Sequence, residues 1–153
     1  MSNLVAGKTW LQTSQGIHVS RATATTAADQ DLFSIDGGRV ILLGFIGEVT
    51  TAIGAGSQDF EIDLDPDDGG TNVALSTLVA VDADATGTMY TLNSTAGGAL
   101  VATLDVAYNA TLAIPIVLKQ GDIVLDVTGT EDGSVKWDVL YAPLDAGASL
   151  TAS

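Results

Sequence analysis

Apolar and polar residues alternate over short stretches along most of this chain, and turn residues separate the stretches. The cleanest stretch is Asp59 to Asp65, where Phe60, Ile62 and Leu64 fall on one side and Asp59, Glu61, Asp63 and Asp65 on the other. A period of two puts these sets on opposite faces of a half-buried strand. Val135, Trp137, Val139 and Tyr141 repeat the pattern, with Lys136 and Asp138 facing away, so Trp137 and Tyr141 are expected inside. Ile17, Val19 and Arg21 alternate with His18 and Ser20 in a first strand, and Thr23 to Gln30 is polar and small enough for a loop.

Between these landmarks the turns are explicit. Leu32 to Ile35 forms a short strand closed by Asp36-Gly37-Gly38, a strong turn signal. Arg39 to Ile53 is a long β-branched stretch with Gly44 and Gly47 inside it, where a strand glycine often marks a bulge or a close backbone approach. Pro66-Asp67-Asp68-Gly69-Gly70 closes the acidic strand. Val73 to Asp84 fits both the helical and the strand period, and extended structure is the expectation. Thr88 to Leu92 and Ala99 to Val106 flank a hairpin loop over 93–98. Thr111 to Leu118 carries Pro115, which cannot donate to a sheet ladder, so this strand lies at an edge or bends there. Ile123 to Val127 is a further strand.

No Ser, Thr or Asp cap precedes an amphipathic helix of ten or more residues. About nine or ten short strands at this spacing predict an all-β fold, a jelly-roll-like β-sandwich. The expected organisation is an N-terminal arm over 1–15, the sandwich domain over 16–143 and a small-residue tail over 144–153. Trp10 either anchors the arm on a partner or tucks onto the domain's own core.

Composition narrows the function. Nineteen acidic residues against five basic ones give a net charge of −14. Nucleic-acid binding gains affinity by neutralising phosphates. Lys8, Arg21, Arg39, Lys119 and Lys136 are too scattered for that, and an anionic membrane is disfavoured on the same ground. The charge suits a solvent-facing protein kept soluble at high local concentration, or one from a salty habitat where repulsion is screened. Only 5% of the residues are aromatic, which suggests small, β-branched packing rather than aromatic anchors. Cysteine is absent, which removes disulfides, thiolate metal sites and cysteine nucleophiles. Met1 to Lys8 lacks the pattern of a signal peptide, and Val40 to Ile46 is too short to span a bilayer.

Candidate chemistry is thin. A Ser-His-Asp triad would have to use His18, the single histidine, and no nucleophile elbow presents a serine. Carboxylate pairs for glycoside hydrolysis follow from abundance alone, and the aromatics are too few for a sugar platform. Asp63, Asp65 and Asp67 have the first spacings of a calcium loop. Asp68 then stands where glycine is needed and Ala74 where the bidentate glutamate is needed. No enzyme, cofactor or metal site is therefore expected.

Two stretches do look familiar: Leu32-Phe33-Ser34-Ile35-Asp36-Gly37-Gly38-Arg39-Val40 running on through Gly47-Glu48-Val49-Thr50-Thr51-Ala52-Ile53, and Gly133-Ser134-Val135-Lys136-Trp137-Asp138-Val139-Leu140-Tyr141-Ala142-Pro143-Leu144-Asp145-Ala146-Gly147-Ala148. Together they resemble head decoration (cement) proteins of tailed bacteriophages, and the likeness extends weakly through Ala85-Thr86-Gly87-Thr88-Met89-Tyr90. No enzymatic motif defines that family. The resemblance implies a trimer on the outer surface of the virion capsid, clamping subunits of the major capsid protein, with no nucleic-acid or membrane partner. Trp10, Leu11, Arg39, Phe45 and Pro115 are the candidate capsid or subunit contacts. The alternative is a tail-fibre or adhesin-type β-sandwich that binds a glycan or receptor.

Overall fold

The computed structural model describes residues 16–92, 98–99, 101–103 and 115–153. These form fourteen strands: β1 (Ile17–Thr25), β2 (Gln30–Asp36), β3 (Val40–Thr51), β4 (Asp59–Pro66), β5 (Val73–Ala74), β6 (Ser76–Thr77), β7 (Val79–Ala80), β8 (Met89–Thr91), β9 (Gly98–Ala99), β10 (Val101–Thr103), β11 (Ile116–Leu118), β12 (Gly121–Thr128), β13 (Ser134–Pro143) and β14 (Ser149–Ala152). The first sheet runs β1-β13-β3-β8-β10, with β11 also on β3. The second runs β14-β2-β12-β4-β5, with β7 also on β4, and β6 and β9 make a separate parallel pair. Every pairing within the two large sheets is antiparallel. The two sheets pack face to face, so the protein is an all-β sandwich.

Fourteen strands replace the expected nine or ten for three reasons, one being that β9 and β10 stand where the single strand from Ala99 was expected. The Val73 to Asp84 stretch is extended as expected but broken into two-residue pieces. The expected tail over 144–153 is partly strand: Ser149–Ala152 pairs with β2, and Leu150 is buried. The loop expected from Thr23 also starts later, since β1 continues to Thr25 across an irregularity between Arg21 and Ala24. Parts of the expected strands over 99–106 and 111–118 lie outside the described residues, as does the arm.

The bulges correct the simple alternation. Leu140 pairs with Gly44 and Tyr141 with Leu42, so Leu43 is the extra residue of a bulge in β3. An added residue reverses which side chains face inward. Val40 and Leu42 before it and Phe45 and Val49 after it can therefore all reach the core. Gly47 answers a different need. A Cβ there would lie 2.5 Å from the Trp137 ring, so the indole fills the space a side chain would take.

The core has an aromatic spine, contrary to the packing expected from composition. Phe33, Phe45, Phe60, Tyr90 and Trp137 are each fully buried. Their ring centroids follow one another from Phe33 to Phe45 at 6.4 Å, Phe45 to Trp137 at 5.2 Å, Trp137 to Tyr90 at 6.2 Å and Tyr90 to Phe60 at 6.0 Å. Phe33 and Phe60 belong to the second sheet and the others to the first, so the spine stitches the layers together. Edge-to-face and tilted contacts of this kind add about 0.5–1.5 kcal/mol each beyond area burial.

Candidate interaction surfaces

The outward faces of the two sheets differ in kind. On the first, the register aligns Val117 with Ile41 and Ile41 with Ala142. The next rows set Leu140 between Gly44 and His18, and Ile46 beside Asp138. Ile41, Leu43, Ile46 and Leu140 are half-buried and Val117 is 56% exposed, so apolar side chains dominate this surface. Its few charges are matched. His18 Nε2 lies 2.7 Å from Asp138 Oδ1, Lys136 Nζ lies 3.4 Å from Asp138 Oδ2, and Lys136 stands opposite Glu48. Burial pushes the Asp138 carboxyl up. Hydrogen bonds from His18 and Ser20, with the Lys136 charge, outweigh that and hold it below its ordinary value.

This grouping of Ser20, His18 and Asp138 lacks the order of a triad. A triad needs the imidazole between serine and carboxylate. Here the imidazole meets Asp138 at 2.7 Å, and Ser20 bears on that carboxylate rather than on the ring.

On the second sheet, Glu61 stands directly opposite Asp126 and Asp65 opposite Asp122, while Asp63 faces Val124. Asp31 continues the row beyond Val124. Alternation in β4 holds as expected, with Phe60, Ile62 and Leu64 buried beneath the acids. Beyond Pro66 the acids turn to specific partners. Asp68 accepts from Lys119 at 3.2 Å and from the Gly70 N–H at 3.0 Å, and Asp67 accepts from Gln120 at 2.9 Å. Asp63, Asp65 and Asp67 thus do not converge. Among the described residues no group of three His, Asp or Glu side chains is placed to hold a metal ion.

Where the two sheets end on the side of β5 and β11, an apolar cleft of about 500 Å³ opens. Leu64, Val73, Leu75, Pro115, Ile116 and Val117 line it. Val73 is 55% exposed there.

The expected contact residues divide. Pro115 is exposed at the cleft, just before β11, which has β3 as its partner strand. Arg39 is exposed but engaged: its guanidinium donates to both Asp145 oxygens at 2.9 and 2.8 Å, and its backbone N–H donates to Asp145 Oδ2 at 2.9 Å. These bonds hold the Asp145 carboxyl down at about 2 and clasp the Gly37-Gly38 turn to the loop before β14. Phe45 is overturned as a contact, because it lies at the centre of the aromatic spine with no exposed surface. Trp10 and Leu11 lie outside the described residues. The sequence alone marks Leu42 to Ile53 and Ile114 to Leu118 as apolar enough for subunit contacts; that Ile41 and Leu43 join Leu140 of β13 and Val117 of β11 in one surface depends on pairings between distant parts of the chain. Ile41, Leu43 and Leu140 occupy outward positions once the bulge is counted.

Among the described residues no helix is long and apolar enough to cross a membrane. No family model, no curated protein and no solved structure matches the chain.

Proposed function

We propose that this protein is a capsid decoration protein, binding the outside of a phage head as a trimer and stabilising the shell through contacts with the major capsid protein. The observation that carries the reading is the unlike chemistry of the two outer faces. A clamp between other proteins needs an apolar surface to bury and a second surface that stays in solvent. The outer rows of the first sheet, with Val117, Ile41, Ile46 and Leu140, supply the former, and the acidic face of β4 and β12 supplies the latter. The two stretches that resemble decoration proteins support it further. They are not scattered in space: β3 and β13 pair along most of their length at the centre of the first sheet. A jelly-roll course of the strands is part of the same proposal, in line with the chain's repeated crossing between sheets from β2 to β3 to β4 and from β12 to β13 to β14.

Among the described residues the Trp and Tyr rings argue against a glycan platform. Trp137 and Tyr90 are fully buried and Tyr141 is 5% exposed, so none of them offers a stacking face.

The test is to mix the purified full chain with expanded heads that lack it, sediment, and count copies bound per capsid. Saturable binding at one trimer per three-fold position is expected, and weaker binding by Val117→Asp, an exposed position whose change leaves the core intact. Absence of binding to such heads would remove the capsid reading.

A further inference from the structure

The acidic face of the second sheet carries an inference that does not depend on the capsid reading. Like charges directly opposite one another across a strand pair are destabilising. β4 and β12 hold two such pairs in register, Glu61 with Asp126 and Asp65 with Asp122, with Asp63 between them. Asp29 joins from the turn before β2. Its Oδ1 accepts the Val127 N–H at 2.7 Å, which sets its charge beside Asp126. Asp63 Oδ1 is shut off from solvent and meets no donor among the described residues.

Among the described residues no cation balances these charges. Asp59 completes the row on β4, and Asp31 adds another acid from β2. The flanking β5 and β7 present Ala74 and Ala80, and β14 presents Ser149 and Thr151. The nearest guanidinium, Arg21, feels Asp31 but donates to Gln30 and to the Ser153 carbonyl. Lys119 is held by Asp68 at the end of the strand.

We propose that the carboxylate ladder of β4 and β12 is a proton-operated clamp: mild acid draws the two strands together, and a rise to neutral or alkaline pH loosens them. The direction follows from the environment of each group. Burial first, then the neighbouring Asp63 and Asp126 charges, pushes Glu61 up; burial and Asp126 do the same to Asp63. Burial, then Asp29, raises Asp126. A carboxyl raised on folding contributes stability that is complete below its unfolded value, about pH 4, and lost as pH rises through the folded value. This is the reverse of the usual acid lability of a salt-bridged carboxylate.

The test is thermal unfolding of the full chain in low salt between pH 4 and pH 8, with amide exchange read strand by strand. The midpoint is expected to be about 5 °C higher at pH 4 than at pH 8, and β4 and β12 amides to lose more protection at pH 8 than those of β3 and β13. Glu61→Gln with Asp126→Asn should remove most of the difference by raising the midpoint at pH 8. Asp82→Asn with Asp132→Asn changes the net charge equally at exposed positions off the ladder and should leave the difference in place. A midpoint that is flat or higher at pH 8 overturns the proposal. So does a control pair that flattens the profile as well as the ladder pair does, since general repulsion from the net charge would then be the cause.

Discussion

The two outward faces of the sandwich are built on the same alternating strands, yet they handle charge in opposite ways. The first sheet spends its few ionic groups in pairs, with Asp138 between His18 and Lys136, and gives the remaining positions to Ile41, Leu43, Ile46 and Leu140. The second sheet lines up carboxylates against carboxylates. Self-repulsion of that kind is tolerable only because something else holds β4 to β12. That something is below the surface, where Ile62, Leu64, Ile123 and Leu125 are buried against the other layer. The contrast shows that core packing sets the register here, while surface charge is free to serve another purpose.

The comparison breaks first at the spine that both sheets share. Trp137→Ala removes the ring that Phe45 and Tyr90 pack against, and should cost about 3–5 kcal/mol in denaturant unfolding, loosening both faces together. Gly47→Ala attacks the same contact from the backbone side. Its Cβ would have to displace the Trp137 ring, for a loss of about 2 kcal/mol by the same measurement.

Smaller changes sharpen the contrast. Val124 lies between Asp31 and Asp63 on the acidic face. Val124→Lys should therefore stabilise by about 0.5–1 kcal/mol at pH 8 in low salt, and the gain should vanish in 1 M salt or near pH 4. On the first sheet the sign is reversed. Asp138 is held below its ordinary value, so its contribution is present above about pH 4 and lost as pH falls through the folded value. Asp138→Asn should cost about 0.5 kcal/mol at pH 7 and nothing at pH 2, as measured by unfolding at the two pH values.

How far the sequence announced this arrangement depends on the distance over which each feature is encoded. The alternation of β4 and β13 is local, and Phe60, Ile62, Leu64, Trp137 and Tyr141 are buried where their spacing put them. The glycines of β3 announced irregularity correctly, one at a bulge and one beneath a ring. What stayed hidden needed a partner strand. Phe45 reads as an available aromatic until the bulge at Leu43 turns it inward. Asp122 and Asp126 read as ordinary surface acids until the β4 register sets them against Asp65 and Glu61. The aromatic spine was invisible because each ring stands on a different strand. Ser149–Ala152 is too poor in large side chains to declare itself, and becomes a strand because β2 offers it a ladder.

The broken cover over β4 has a further consequence. Its exposed side is closed by β7 at Asp59 and Phe60, by β5 at Asp63 and Leu64, and between them by the Leu75 N–H on the Ile62 carbonyl and the Ser76 hydroxyl on the Ile62 N–H. The pieces that do this are two residues long, with Leu75 and Leu78 interrupting them. A fragmented margin offers no continuous row of amides and carbonyls on which a foreign strand could template itself. Copies crowded side by side can therefore stay separate along this margin, although it also carries exposed Val73 and Leu78.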